Sequence, residues 1–187
     1  MTCIIFTDIV GYSTMMGKDE AHSLKLLAEH DHIIVPIIKK HSGKIIKHIG
    51  DSIFAQFVNT DEALHAAIEF QTQLRERNQL VSRNDHIQVR TGIHVGTVIE
   101  KDGDLFGNDV NITSRIEGVA SVEGIALSQS AMESIDATDK LYFRKIGHVK
   151  LKNIQNPQLL YKAYLNHKDW KNEPDELLLQ TSIRRGI

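Results

Sequence analysis

Cysteine is almost absent from this 187-residue chain: Cys3 is the only one. A lone thiol excludes an internal disulfide framework and a thiolate metal cluster. Its place in the first strand pattern reads as a small buried hydrophobe. Long apolar runs are missing too. Nothing approaches the roughly 20 residues that span a bilayer, and no signal peptide is visible, so a cytoplasmic domain is expected. Charge of one sign is also lacking. A net charge of -2 leaves no electrostatic footprint for nucleic acid or an anionic membrane. There is no internal repeat and no low-complexity tract. The ten histidines show no metal-ligand spacing. His30 and His32 diverge on a helix, and His94, between Ile93 and Val95, reads as a hydrogen-bonded structural histidine. What remains, 41% hydrophobic and 25% charged residues, is the composition of one globular domain with a sizeable core. Met1 stands almost directly before the first strand pattern, which suits a module of something longer.

Against that plain background two stretches stand out. Ile4-Ile5-Phe6-Thr7-Asp8-Ile9-Val10-Gly11-Tyr12-Ser13 is an apolar strand with one carboxylate near its tip, running into a glycine turn. Ile45-Ile46-Lys47-His48-Ile49-Gly50-Asp51-Ser52-Ile53-Phe54-Ala55-Gln56-Phe57 repeats the theme as strand, Gly-Asp, strand. An ionised Asp at the tip of a buried strand is costly unless a cation compensates it. Side by side, Asp8 and Asp51 would make a site for hard divalent ions. Asp51 taken alone is equally well explained as turn chemistry; nothing in turn chemistry asks for Asp8. The Gly11-Tyr12-Ser13 turn precedes a helix, and its backbone N–H groups are of the kind that cradle phosphates. It is not a Walker loop, because the Gly-Lys-Ser/Thr end is missing.

Taken in order, residues 3–9 read as a buried strand. Asp19 to His41 reads as a helix with Ala21, Leu24, Leu27, Ala28, Ile34 or Val35, and Ile38 on one face. Asp19 is the expected N-cap, Gly43 the expected residue after the C-cap, and Pro36 should kink or break the pattern. Residues 44–49 and 52–58 form a hairpin around Gly50-Asp51. Thr60 should cap a helix to about Leu80 with Ala63, Ala67, Phe70 and Leu74 inward. A strand follows at 87–99 with Ile87, Val89, Thr91 and Ile93 alternating, and Gly92 and Gly96 mark a bulge or a close backbone approach. After a turn at Lys101-Asp102-Gly103-Asp104 come a helix from about Asn108 to Gly118, a strand at 125–127, a small helix from Ser128, and strands near 141–151 and 158–165. Residues 1–166 make the domain and 167–187 a tail or linker, with a Leu177–Leu179 cluster and Arg184-Arg185. The order βαββαβ with further strands predicts an α+β sandwich of the ferredoxin-like kind, helices on one face of a mainly antiparallel sheet and sites or a partner on the other.

The helix from Asn108 carries a third constellation. Asn111 and Arg115 share one face at a spacing of four, with Ile112, Ile116 and Val119 on the other. An amide and a guanidinium projecting together suit a sugar oxygen and a phosphate gaining charge, though on spacing alone a solvated polar helix face is the better reading.

Together these stretches resemble the catalytic domain of class III nucleotidyl cyclases over roughly residues 2–165. The resemblance is carried by Phe6–Ser13, Lys47–Asp51, Arg90–His94, Asp104–Asn111 with Arg115, and Val149–Lys152. It implies that Asp8 and Asp51, with the Ile9 carbonyl, hold two Mg²⁺ or Mn²⁺ ions. It implies that Gly11, Tyr12, Ser13 and Arg90 contact the triphosphate of ATP, and that Lys47 and Asp104 read the base. Asn111 would orient the ribose, Arg115 would stabilise the transition state, and Lys152 would reach phosphate. The implied reaction is attack of the ribose 3′-hydroxyl on the α-phosphorus with release of pyrophosphate. Family members work as head-to-tail dimers, with the metal aspartates from one chain and the base-reading pair, Asn and Arg from the other. This chain carries both sets, so the resemblance implies a homodimer, with regulatory or sensor domains fused to it in the full-length protein. Thr113 stands where a small apolar residue is usual, and Asn153 where a glycine is. A guanylyl cyclase and a catalytically silent module on the same fold are the rival readings; silent members usually lose a metal Asp or the Arg, and Asp8, Asp51 and Arg115 are all present.

Overall fold

The computed structural model of the chain describes residues 1–136 and 140–173. Its first half runs β1 (Thr2–Ile9), α1 (Tyr12–Lys18), α2 (Glu20–Lys40), β2 (Lys44–Ile49), β3 (Ser52–Phe57), α3 (Thr60–Gln79) and β4 (Val89–Gly96). The second half runs β5 (Ile99–Lys101), β6 (Asp104–Phe106), α4 (Asn108–Val119), β7 (Ile125–Ser128), α5 (Gln129–Glu133), β8 (Tyr142–Val149), β9 (Gln158–Tyr164) and α6 (His167–Asn172). Seven strands form one sheet in the order β2-β3-β1-β4-β7-β9-β8, in which only β4 and β7 run parallel. β5 and β6 form a separate hairpin. The first four sheet strands and their helices are the expected βαββαβ unit; β7, β9 and β8 extend it on the β4 side.

Strand periodicity divides the labour of the sheet. On β1, Cys3, Ile5 and Ile9 enter the main core with α2 and α3, whereas Ile4 and Phe6 face the opposite side and pack with Phe54 and Leu105. On β4, Val89, Ile93 and Val95 join the main core and Gly92 faces α4. A Cβ on Gly92 would stand 2.3 Å from the Glu117 backbone nitrogen, so the closeness of α4 to the sheet depends on a residue with no side chain. Asp8 and Arg90 are paired across β1 and β4 and share this second face.

Several expectations change. Helices do not keep to one face: α2 and α3 cover one, and α4 lies across the other, burying Ile112 and Ile116 against Ala126, Val149 and Leu160. α2 runs unbroken through Pro36; packing of Ile34, Ile37 and Ile38 into the core on either side of the proline holds it together. Its buried stripe is Ser23, Leu26, His30, Ile34, Ile37 and Ile38, and Leu24 is exposed. Two polar members of that stripe displaced the face read from apolar residues alone. Asp19 caps α2 by accepting from the His22 N–H at 3.0 Å, as expected. The left-handed residue after the helix is Ser42, φ 59°, rather than Gly43. α3 is capped by the Asn59 side chain, one residue before the Thr60 expected to do it. The first residues assigned to a tail form α6, held by the Asp169–Arg75 ion pair at 2.6 Å and by Trp170 donating to the Phe143 carbonyl at 3.2 Å. The Leu177–Leu179 cluster and Arg184-Arg185 lie outside the described residues.

Candidate active site

The carboxylate end of the site forms where β1 stops. Because Ile9 turns into the core, its neighbour Asp8 turns to the face shared with α4. There Arg90 grips it: Nε donates to Asp8 Oδ1 at 3.0 Å, and the terminal nitrogen bonds the other oxygen. The same guanidinium donates to the Gly118 carbonyl at 3.2 Å, and its Nε lies 3.3 Å from Glu117 Oε1. Asp51, in the β2–β3 turn, reaches across and accepts the Ile9 N–H at 2.7 Å. Burial pushes the Asp51 carboxyl above its ordinary range, and the Asp8 charge adds to this against the Ile9 hydrogen bond. Burial raises Glu117 further, helped by its hydrogen bond to Asp8 and by the Asp8 charge, with Arg90 opposing. Asp51 and Glu117 thus each feel the Asp8 charge, with Arg90 as its counter-charge. Gly11, at φ 76°, starts α1 beside this cluster, so the Tyr12 and Ser13 N–H groups belong to a first helical turn and take no partner from within the helix. The nearness of Asp51 shows on the Tyr12 phenol, which burial and then the Asp51 charge hold up.

The second set lies elsewhere on the same chain. Asn111 and Arg115 project from the exposed side of α4. Arg115 lines a cavity of about 900 Å³ with Ser114, Glu117, Lys150, Lys152 and Asn153, and neither Asp8 nor Asp51 takes part in its lining. The start of α4 is tied to the sheet: Asp109 accepts the Thr97 N–H at 2.6 Å and faces His94 Nε2 at 3.3 Å. His94, whose charged form burial disfavours, also meets the Ser128 hydroxyl at 2.8 Å, the structural role expected of it. The third set joins β2 to the β5–β6 hairpin. Lys47 donates to Asp104 and holds that carboxyl below its usual range, while Asp104 also accepts the Leu105 N–H at 2.8 Å.

Comparison with known proteins decides what this arrangement belongs to. The family described as the adenylate and guanylate cyclase catalytic domain matches residues 1–165. The chain is a member of that family. The cyclase domain is 30% identical over 179 residues to a putative adenylate cyclase 3 of Rhizobium meliloti (strain 1021), covering 95% of this chain and 30% of the relative. It is 32% identical over 180 residues to an adenylate cyclase of Anabaena cylindrica, covering 86% of this chain and 36% of the relative. The chain therefore spans about a third of the length of these two relatives. Among solved structures, an adenylate/guanylate cyclase/hydrolase from Silicibacter pomeroyi superposes with a TM-score of 0.80 at 30% identity, covering 87% of this chain and 95% of that one.

The carboxylate end of the cyclase domain suits hard divalent ions in kind. Its side-chain donors are two carboxylates, and Asp51 carries a repulsion from Asp8 that a cation relieves. Among the described residues no three or more His, Cys, Asp or Glu side chains make a ready cage. Two carboxylates that leave the other positions to water and phosphate are the kind of set Mg²⁺ takes. A cation arriving at Asp8 takes oxygens that Arg90 now holds. Among the described residues no helix is long and apolar enough to cross a membrane.

Glu117 went unnoticed in the sequence. Two residues past Arg115, it looks like part of the polar helix face, yet it is only 8% exposed and turns inward where Gly92 leaves room. The one available signal was its spacing of four from Thr113, which is fully buried. Phe54 and Phe106, whose rings flank the Lys47 ammonium at 5.9 and 5.8 Å, were missed because neither carries a reactive group.

Proposed function

We propose that this domain is an adenylyl cyclase, converting ATP to 3′,5′-cyclic AMP and pyrophosphate at sites shared across a head-to-tail homodimer. The observation that carries the choice of ATP is the Lys47–Asp104 pair. Adenine offers a donor at its 6-amino group and an acceptor at N1; guanine reverses both. A carboxylate accepts only and an ammonium donates only, so Asp104 suits the amino group and Lys47 suits N1. Against guanine both would face like polarity, and a site built on hydrogen bonds discriminates by as much as about 10⁴.

In the proposed reaction the ribose 3′-oxygen attacks the α-phosphorus. The bond from that phosphorus to the bridging oxygen of the β-phosphate breaks, and pyrophosphate leaves with the electron pair. The 3′-hydroxyl proton passes to solvent. Two Mg²⁺ or Mn²⁺ ions, held by Asp8, Asp51 and the Ile9 carbonyl, would supply Lewis acidity toward the hydroxyl and the phosphates. The chain's own groups do the rest. The Gly11–Ser13 amides and Arg90 bind the triphosphate, Asn111 fixes the ribose, and Arg115 meets the charge that builds on the α-phosphate, with Lys152 adding a second cation. Sharing between chains is supported by the lining of the cavity beside α4 within one chain: Arg115 and Lys152 take part in it, and the metal aspartates Asp8 and Asp51 do not. In the full-length protein, regulatory or sensor domains would occupy the length by which the relatives exceed this chain.

The test is turnover of ATP and GTP, each with Mn²⁺, by wild type and by Lys47→Glu/Asp104→Cys. Wild type should form cyclic AMP almost exclusively and the double variant should lose that preference. Comparable wild-type rates with GTP would favour the guanylyl cyclase reading, and no turnover of either nucleotide would favour a silent module.

A further inference from the structure

Lys47 stands where it does because β2 breaks register. Lys44 pairs with Gln56 and Ile45 with Ala55, but Lys47 pairs with Phe54, His48 with Ile53 and Ile49 with Ser52. Ile46 is the extra residue of a β-bulge. Paired residues point to the same side of a sheet, and the two sides here are distinct. Ala55 and Ile53 belong to the core under α2 and α3, and Phe54 to the cluster with Ile4, Phe6 and Leu105 on the opposite side. In an unbulged ladder Lys47 would lie opposite Ile53 and point into the helix-covered core. The bulge turns it to the side where Asp104 stands.

Once there, the ammonium meets two rings. Phe54 is fully buried and stacks on Phe6, centroids 4.5 Å apart and planes 13° from parallel, so one wall is fixed. Phe106 is 48% exposed and lies two residues after Asp104 on β6, which places the carboxylate and the second ring on one side of the hairpin. Ring faces attract a cation without using up its N–H groups in strong hydrogen bonds. A lysine ammonium has three donors on a flexible stem. Held by two ring faces and one carboxylate, it loses its freedom and keeps donors for a ligand.

We propose that the Ile46 bulge aims Lys47 and that the Phe54 and Phe106 rings hold its ammonium in place, making Phe106 a positioning residue for base selection. This rests on reading Lys47 and Asp104 as the base-reading pair. The half-exposed Phe106 can be changed without opening the core, so it is the place to test the idea. kcat and KM are measured for ATP and GTP at saturating Mn²⁺ on the full chain carrying Phe106→Leu, Phe106→Tyr, Lys47→Met, and Phe106→Leu with Lys47→Met. Phe106→Leu should lower kcat/KM for ATP and the ATP-over-GTP ratio by about threefold to tenfold, mostly through KM, the size expected for one exposed cation–ring contact up to a partly desolvated one. Phe106→Tyr, which keeps the ring, should restore both. With Lys47→Met already present, Phe106→Leu should add little, because the ring acts through the lysine. An unchanged ratio in Phe106→Leu would overturn the proposal, as would an undiminished Phe106→Leu effect in the Lys47→Met background, which means direct stacking on the base. If Lys47→Met itself leaves the ATP preference intact, it is the underlying base-reading assignment that falls, and this inference with it.

Discussion

Replacing Arg90 by Met should destabilise the metal-free domain and at the same time increase its response to metal. The guanidinium makes two bonds to Asp8 and one to the Gly118 carbonyl, and sits beside Glu117. Removing one partner from a fully buried pair costs about 3–5 kcal/mol. Here the side chains of Arg90 and Asp8 remain 27% and 19% exposed, so water recovers part of that loss and about 2 kcal/mol is the expected cost. For a chain of this length that is a fall of about 4–8 °C in Tm, measured by scanning calorimetry in a chelator. Mn²⁺ should then act differently on the two proteins. In wild type it must displace Arg90 from Asp8; in Arg90→Met the Asp8 carboxylate is already free of that ion pair. A ligand at about 100 times its Kd stabilises by roughly 2.7 kcal/mol, and the variant should reach that gain at lower Mn²⁺ than wild type. A variant melting within about 1 °C of wild type in chelator, or identical Mn²⁺ titrations of Tm for the two proteins, would refute the view of Arg90 as the resident counter-ion.

Three other outcomes are expected. Glu117 is raised from 4.5 to about 9, so the folded metal-free chain holds a proton there that the unfolded chain releases. Its contribution to stability is therefore present at low pH and declines as pH climbs through that window, and urea melts of Glu117→Gln should lose this part of the slope. Gly92→Ala sets a methyl against the α4 backbone and should cost about 1–3 kcal/mol, with cyclase activity falling alongside, read by melting and by turnover; an unperturbed variant would mean that α4 is not held as closely as described. Asp51→Ala and Arg115→Ala should each be inactive alone, yet recover a fraction of wild-type activity when mixed, since one site of a mixed dimer carries neither lesion. Persistent inactivity after demonstrated subunit exchange would exclude sites shared between chains.

Much of this molecule could be read before folding it. The βαββαβ order, the strand tip at Asp8, the turn at Asp51, the Asp19 cap and the close approach at Gly92 each follow from a local pattern with a local cause. What escaped was decided by partners distant in sequence, or by polar side chains that local hydrogen bonds let into the core. The buried face of α2 includes Ser23 and His30, which find hydrogen bonds to the Asp19 carbonyl and the Asp31 carboxylate, and apolar periodicity does not register such positions. The unbroken passage of α2 through Pro36 depends on core packing on both sides of it, against local propensity. The Ile46 bulge is invisible in a run as regular as Ile45-Ile46-Lys47, because register belongs to a pair of strands. Glu117 next to Arg90 and Asp8 is a meeting of three elements, on the face that the sequence pattern assigns to sites or a partner rather than to a helix.

The position of β1 in the sheet has a consequence for how the chain is made. β1 comes first in sequence and lies in the middle of the sheet, between β3 and β4. Its Thr2 pairs with Gly96 and its Ile9 with Val89, so the edge that faces β4 waits until β4 has been synthesised. At about 5–20 residues per second that is a delay of roughly 5–20 seconds, with a sticky central strand outside the ribosome and no native neighbour on one side. Contacts this far apart in sequence also slow spontaneous refolding. During synthesis, the apolar strand whose tip carries Asp8 is thus left with one open edge until β4 arrives.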